Sequence, residues 1–267
     1  MYRADYHMHT SMSPDSIATI ESQIETAIAL GLDEIAITDH FEYDLIEGEW
    51  KLTLDLVAYQ QKIAQMQALY AEQIMIKQGV EIGYEKRYHK ELMQCLQNKT
   101  FDFIICSTHK CEHQEIAFGG YFEGKTQQEA YRGYFEHVLE TVQNYNTFDV
   151  YGHLDYVNRY GDYKSKILYM QDYEDILESI LEILIKKDKG LEVNTSGIRY
   201  GLGTFNPQVA LLKRYYDKGG RILTIGSDSH MNQHVGYLRD EAALMLKNIG
   251  FKSYATFDKR KPTFRAL

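Results

Sequence analysis

ADYHMHT (Ala4–Thr10) and ILTIGSDSH (Ile222–His230) share one pattern: an apolar-rich stretch that ends on two metal-competent side chains at i and i+2. The pairs are His7 with His9 and Asp228 with His230. On a strand, that spacing sends both side chains to one face. Strand ends are where barrel enzymes place their chemistry. Two such pairs at opposite ends of the chain predict a sheet that closes on itself around metal.

Between them, short strand-like runs alternate with helical patterns. The expected strands are 4–9, 34–40, 75–84, 101–109, 149–155, 190–196 and 221–230. Leu52, Leu56, Tyr59, Ile63, Met66 and Tyr70 recur at helical spacing, as do Ile176, Ile180 and Ile183 before a stop signal at Lys186–Gly190. Seven β-then-α units imply a parallel sheet. Alternation alone would also fit an open doubly wound sheet, but the expected strand ends converge in chemistry, which favours a seven-unit α/β barrel over residues 1–267 as one domain.

Nearly every expected strand end contributes, in turn. The first gives His7 and His9, with Asp15 in the loop behind it, and ITDH gives His40. GVEIGY holds Glu81, ICSTH gives His109, YGHLD gives His153, and GSDSH gives Asp228 and His230. Imidazole and carboxylate together suit Zn, Mn or Fe rather than Ca or Mg. Six histidines and three carboxylates exceed what one ion needs and would serve two or three. Taken singly, Asp15 could cap a turn, Glu81 could pair an ion and His153 could sit in a core. Their succession at the same end of successive strands weakens those readings together. His89, His113, His137 and His234 fall in helical or loop context and are expected not to ligate, and Cys111 lies beyond its strand.

With 267 residues and 44% apolar side chains, the chain can build one large core. Its net charge of −9 disfavours a nucleic-acid partner, although bound divalent ions would make a phosphate ester acceptable locally. No apolar run approaches the ~20 residues of a membrane span. MYRADYH reads as no export signal and the three cysteines are sparse, so a cytoplasmic protein is expected. Oligomeric state is not legible.

The succession HxH, TDH, an interior Glu, STH, GH and SDSH resembles the metal motifs of the polymerase and histidinol phosphatase (PHP) superfamily across almost the whole length. EVNTSGIR (Glu192–Arg199) and IGSDSH followed by VGY (Ile225–Tyr237) look like the bacterial histidinol-phosphate phosphatases within it. The resemblance implies a distorted (β/α)7 barrel and three ions. The first would use His7, His9, Glu81 and Asp228. The second would share Glu81 and add His109 and His153, and the third would use Asp15, His40 and His230. The implied reaction is hydrolysis of L-histidinol phosphate in histidine biosynthesis.

Phosphomonoester hydrolysis fits such a set, because the uncatalysed reaction is slow enough to require more than ~20 kcal/mol of barrier reduction. Hydroxide bridging two ions beside Glu81 is the expected nucleophile. Arg199, after EVNTS, is the expected phosphate clamp and Arg159 the second candidate. Asp15 and His230 are candidates to protonate the leaving group, with no choice made between ligand and acid. Glu42, Tyr43, Phe118 and Tyr121 are candidates for the cationic, aromatic end of the substrate. Rival readings are a nucleotide phosphoesterase or nuclease, a non-catalytic metal module and an amidohydrolase. The last wants a strand-end lysine, for which Lys110 is the nearest residue.

Overall fold

Parallel strands bury both faces and so read as nearly unbroken apolar runs. FIICS (Phe103–Ser107) and LTIG (Leu223–Gly226) are buried at every position. A computed structural model describes residues 2–46 and 49–267. In it these runs lie in a barrel of seven parallel strands in chain order: β1 (Ala4–Asp5), β2 (Glu34–Ile37), β3 (Met75–Gly83), β4 (Phe103–Ser107), β5 (Val150–Tyr151), β6 (Gly190–Asn194) and β7 (Leu223–Gly226). After a break at Thr38–Asp39, His40–Phe41 resumes the line of β2 against β3, with His40 opposite Glu81.

Closure is made by main-chain bonds just past the first and last strands. Tyr6 N–H donates to the Ile225 carbonyl (2.9 Å), Asp228 N–H to that of His7 (2.8 Å) and His9 N–H to that of Ser229 (2.8 Å). The first and last strands therefore meet, as the paired motifs required.

Helices α1 (Ile20–Ala29), α2 (Leu56–Leu69), α3 (His89–Leu96), α4 (Gln127–Asn144), α5 (Glu174–Lys186), α6 (Ser196–Arg199), α7 (Val209–Asp217) and α8 (Arg239–Ile249) fall between and after the strands. Leu56, Tyr59, Ile63 and Met66 form the buried face of α2, as their spacing predicts. Leu52 belongs instead to a short hairpin strand, because the Asp55 carboxylate caps α2 by accepting the N–H groups of Val57 and Ala58. Helix α5 buries Ile176, Leu177, Ile180, Leu181 and Leu184. Gly190 opens β6 rather than capping α5, and the left-handed residue that ends the turn is Asp188.

One element goes beyond the sequence reading. A C-terminal hairpin of β8 (Ser253–Asp258) and β9 (Lys261–Ala266) brings Phe257 against Phe103 and Tyr6, with ring centroids 5.0 and 6.4 Å apart. It covers the end of the barrel where the strands begin. No helix among the described residues is long and apolar enough to cross a membrane.

Candidate metal centre

Glu81, near the end of β3, is fully buried and lies at the middle of the histidines. Its Oε1 faces His153 Nε2 (3.0 Å) and His109 Nε2 (3.3 Å) and accepts from Ser107 Oγ (2.6 Å). Its Oε2 faces His40 Nδ1 (2.9 Å), His7 Nε2 (3.3 Å) and His9 Nε2 (3.6 Å). Asp228 Oδ1 lies 3.4 Å from His9 Nε2 and 3.8 Å from His7 Nε2. Asp15 Oδ2 lies 3.1 Å from His230 Nε2 and 3.4 Å from His40 Nε2. All nine residues named as ligands from the sequence thus converge at one end of the barrel.

His7 and His9 reach the centre as the i, i+2 argument requires, from extended backbone. His153 and Asp228 arrive otherwise: both lie past their strand ends with positive φ (+23° and +55°). Asp228 and His230 therefore share the site without sharing a strand face. Strands 149–155 and 221–230 were read too long for this reason.

Four groups of three donors have their ligand atoms within 4.8 Å of one another: His7, His9 and Glu81; Glu81, His109 and His153; His9, His40 and His230; and His40, Glu42 and His109. Buried polar atoms almost always find a hydrogen-bond partner. Here His7 Nε2, His9 Nε2, His40 Nδ1 and Glu81 Oε2 are buried, without such a partner, and turned towards one another. Orphaned nitrogens and oxygens aimed at a common point are what a cation site requires, and mixed imidazole and carboxylate suits a divalent transition metal. The residues fit the group.

Electrostatics agree. Burial would raise the Glu81 and Asp228 carboxyls, but His7 and the histidines around them hold both well below the usual carboxylate range. Burial lowers His7, and the Glu192 and Glu81 carboxylates override it and lift the imidazole well above its ordinary value. His109 is likewise pulled down by burial but pushed up to about 10 by Glu42 and Glu81. His9 is lowered, by burial and then by the neighbouring His230 and His40.

Two carboxylates hold imidazoles of the cluster from behind. Glu192 on β6 takes His7 Nδ1 at 2.6 Å and also accepts the His153 N–H (2.9 Å). Glu42 takes His109 Nδ1 at 2.8 Å and Lys110 Nζ at 3.0 Å. Partners of this kind leave the opposite ring nitrogen for the metal. Glu192 escaped the sequence reading. Its cue was an acid flanked by Leu191 and Val193 and in step with Asn194, which reads equally as an ion pair.

A cavity of about 200 Å³ opens over the ligands, lined by Asp15, His40, Glu42, His109, Lys110, Glu115, Phe118, His153, Arg159, Asp228 and His230 among others. Buried Arg159 lies between the rings of Tyr200 and Tyr156 and donates to Asn206 Oδ1, Asp228 Oδ2 and Asn194 Oδ1 at 3.0–3.1 Å. Arg199 lies outside that lining and donates to the carbonyls of Ser227 (2.8 Å) and Asp228 (2.9 Å). Asn194 and Ser196 reach Asp228 Oδ2 at 3.3 and 3.1 Å. Phe118 is exposed at the rim. Tyr43 stacks on Tyr88, and buried Tyr121 donates to the Ala130 carbonyl, so neither lines the cavity.

The family model of the PHP domain matches residues 5–196. A histidinol-phosphatase of Lactococcus lactis is 34% identical over 262 residues, covering 98% of this chain and 96% of the relative. A probable histidinol-phosphatase of Thermotoga maritima is 30% identical, covering 98% of each. Among solved structures, the Lactococcus lactis histidinol phosphate phosphatase in complex with zinc, L-histidinol and phosphate superposes with a TM-score of 0.85 at 33% identity, over 98% of both chains.

Proposed function

This chain belongs to the PHP family, and on that premise we propose that it is a metal-dependent phosphomonoesterase that hydrolyses L-histidinol phosphate to L-histidinol and phosphate. The observation that carries the reading is Glu81, placed so that one oxygen serves His7, His9 and His40 and the other His109 and His153. The similarity to an enzyme crystallised with zinc, L-histidinol and phosphate supports the substrate.

Three divalent ions, of zinc, manganese or iron, are assigned to the three sets. His7, His9, Glu81 and Asp228 would hold the first, Glu81, His109 and His153 the second, and Asp15, His40 and His230 the third. When bound, such ions supply Lewis acidity, which neutralises phosphate charge and lowers the pKa of water towards ~7.

The remaining work falls to the chain's own residues. Arg159 spends three of its five N–H donors on Asn206, Asp228 and Asn194, which fix its plane and leave two for phosphate oxygens. It takes the clamp role that the sequence reading gave first to Arg199. Arg199 acts as a positioning residue instead, since its hold on the Asp228 carbonyl supports the left-handed turn that aims this carboxylate. Glu42 orients His109 and holds Lys110 while also lining the cavity. The cationic, aromatic end of the substrate meets Glu115 and Phe118 at the rim. The enzyme acts as a cytoplasmic protein on a small phosphate ester.

The test compares phosphate release from L-histidinol phosphate, a nucleoside monophosphate and p-nitrophenyl phosphate with added zinc or manganese. A kcat/KM for histidinol phosphate about a hundredfold or more above the others is expected. Equal, feeble rates on all three would reject the substrate while leaving the metal centre in place.

A further inference from the structure

At the opposite end of the barrel, Ile76–Gln78 at the start of β3 and Lys99–Asp102 before β4 face the turn of the β8–β9 hairpin across a cleft of about 650 Å³. It is larger than the cavity over the metal ligands. The chain as a whole carries −9, yet the charged side chains around this cleft are the cations Lys77, Lys99, Lys259 and Arg260 against the carboxylates Asp102 and Asp258.

Both carboxylates are already engaged. Asp258 accepts from Lys77 Nζ (2.9 Å), and Asp102 accepts the backbone N–H groups of Gln78 (3.0 Å) and Lys259 (3.1 Å). The Lys99 and Lys259 ammonium groups make no ion pair among the described residues, although Lys259 adds to the field of Lys77 on Asp258. Arg260 pairs with Asp149 through Nε, which leaves its terminal nitrogens for another acceptor. Beneath the cations lie buried Phe101 and Ile104.

The turn is unusual for its residues. Asp258 pairs with Lys261, so Lys259 and Arg260 alone make the loop, with φ of +48° and +66°. Such two-residue hairpin loops favour Asn-Gly, because other residues pay ~1–2 kcal/mol each in left-handed backbone. Two long cations occupy it, and the Arg260 N–H fixes the turn on the Asp102 carbonyl (2.9 Å).

We propose that this cleft binds an organic phosphate of nucleotide size, with its phosphates against Lys99, Lys259 and Arg260 and its apolar body on Phe101 and Ile104. The inference is independent of the reaction assigned to the other end of the barrel.

Calorimetric titration of ADP into the metal-loaded full chain tests it, beside the double variant Lys99→Glu, Lys259→Gly. Glycine suits the φ of +48°, so the turn is preserved, and neither residue touches the metal centre. One ADP per chain is expected, bound about tenfold or more weakly by the variant, with turnover of histidinol phosphate in the absence of ADP unchanged. No binding to the unmodified protein at millimolar ADP would overturn the proposal. So would equal affinity in the two proteins, which would put the nucleotide at the metal centre.

Discussion

Glu192 takes His7 Nδ1 at 2.6 Å and Glu42 takes His109 Nδ1 at 2.8 Å, so that each Nε2 faces Glu81. Losing such a partner typically costs about 10- to 100-fold in metal affinity. That loss is expected for Glu192→Gln in a chelator-competition titration, and an unaltered affinity would show that Glu192 only fills space. The raised pKa of His109, about 10, gives a second prediction. Near pH 7 the metal-free imidazole carries a proton that a metal must displace, so loading should release protons and affinity should rise with pH towards 10. In the metal-free protein the sign for stability is the reverse. The contribution of His109 is fully present below the ordinary histidine pKa of about 6.5 and is lost as pH rises through its folded value. Calorimetry in buffers of different ionisation enthalpy measures the released protons, and a buffer-independent heat would contradict the scheme. The two arginines separate by readout. Because both arginines touch Asp228, the assay is run at saturating zinc: Arg159→Ala should still lower kcat/KM by about a hundredfold, whereas Arg199→Ala should lose metal through the Asp228 turn and recover activity when zinc is restored. The opposite pattern would return the clamp to Arg199. The convergence of these side chains was legible because most motifs place a metal-competent side chain at or just past a strand end. The choice between the arginines was not, since spacing cannot say which guanidinium faces a carbonyl and which a cavity.

At the scale of elements, a close approach between β7 and the chain just after β1 sets the geometry. A Cβ on Gly226 would come within 2.3 Å of Glu192 Oε1 and 2.4 Å of His7 Cβ. Gly226→Ala should therefore destabilise the fold by about 1–3 kcal/mol and push His7 away from Glu192, which thermal unfolding and metal analysis would record together. A stable variant with full metal content would show that the contact yields. Strand positions were legible in the apolar runs, but their ends were not. The ladders at β5 and β7 stop early, and His153 and Asp228 turn into left-handed backbone, a conformation that neither YGHLD nor GSDSH announces through glycine at the ligand itself.

For the whole molecule, closure was legible only because ligand pairs stood at both ends of the chain; β-α alternation alone left an open sheet possible. The hairpin of β8 and β9 was not legible. Its turn lacks the Asn-Gly signal, and the packing of Phe257 on Phe103 and Tyr6 depends on contacts remote in sequence. The central claim, that the barrel gathers its first and last strands around metal to hydrolyse histidinol phosphate, is tested most directly by titrating zinc or manganese into metal-free protein while following phosphate release from L-histidinol phosphate. Activity should be absent at the start, rise with each ion and saturate at about three ions per chain, and Glu81→Gln should stay inactive throughout. Full activity in the metal-free protein, or in Glu81→Gln, would contradict it.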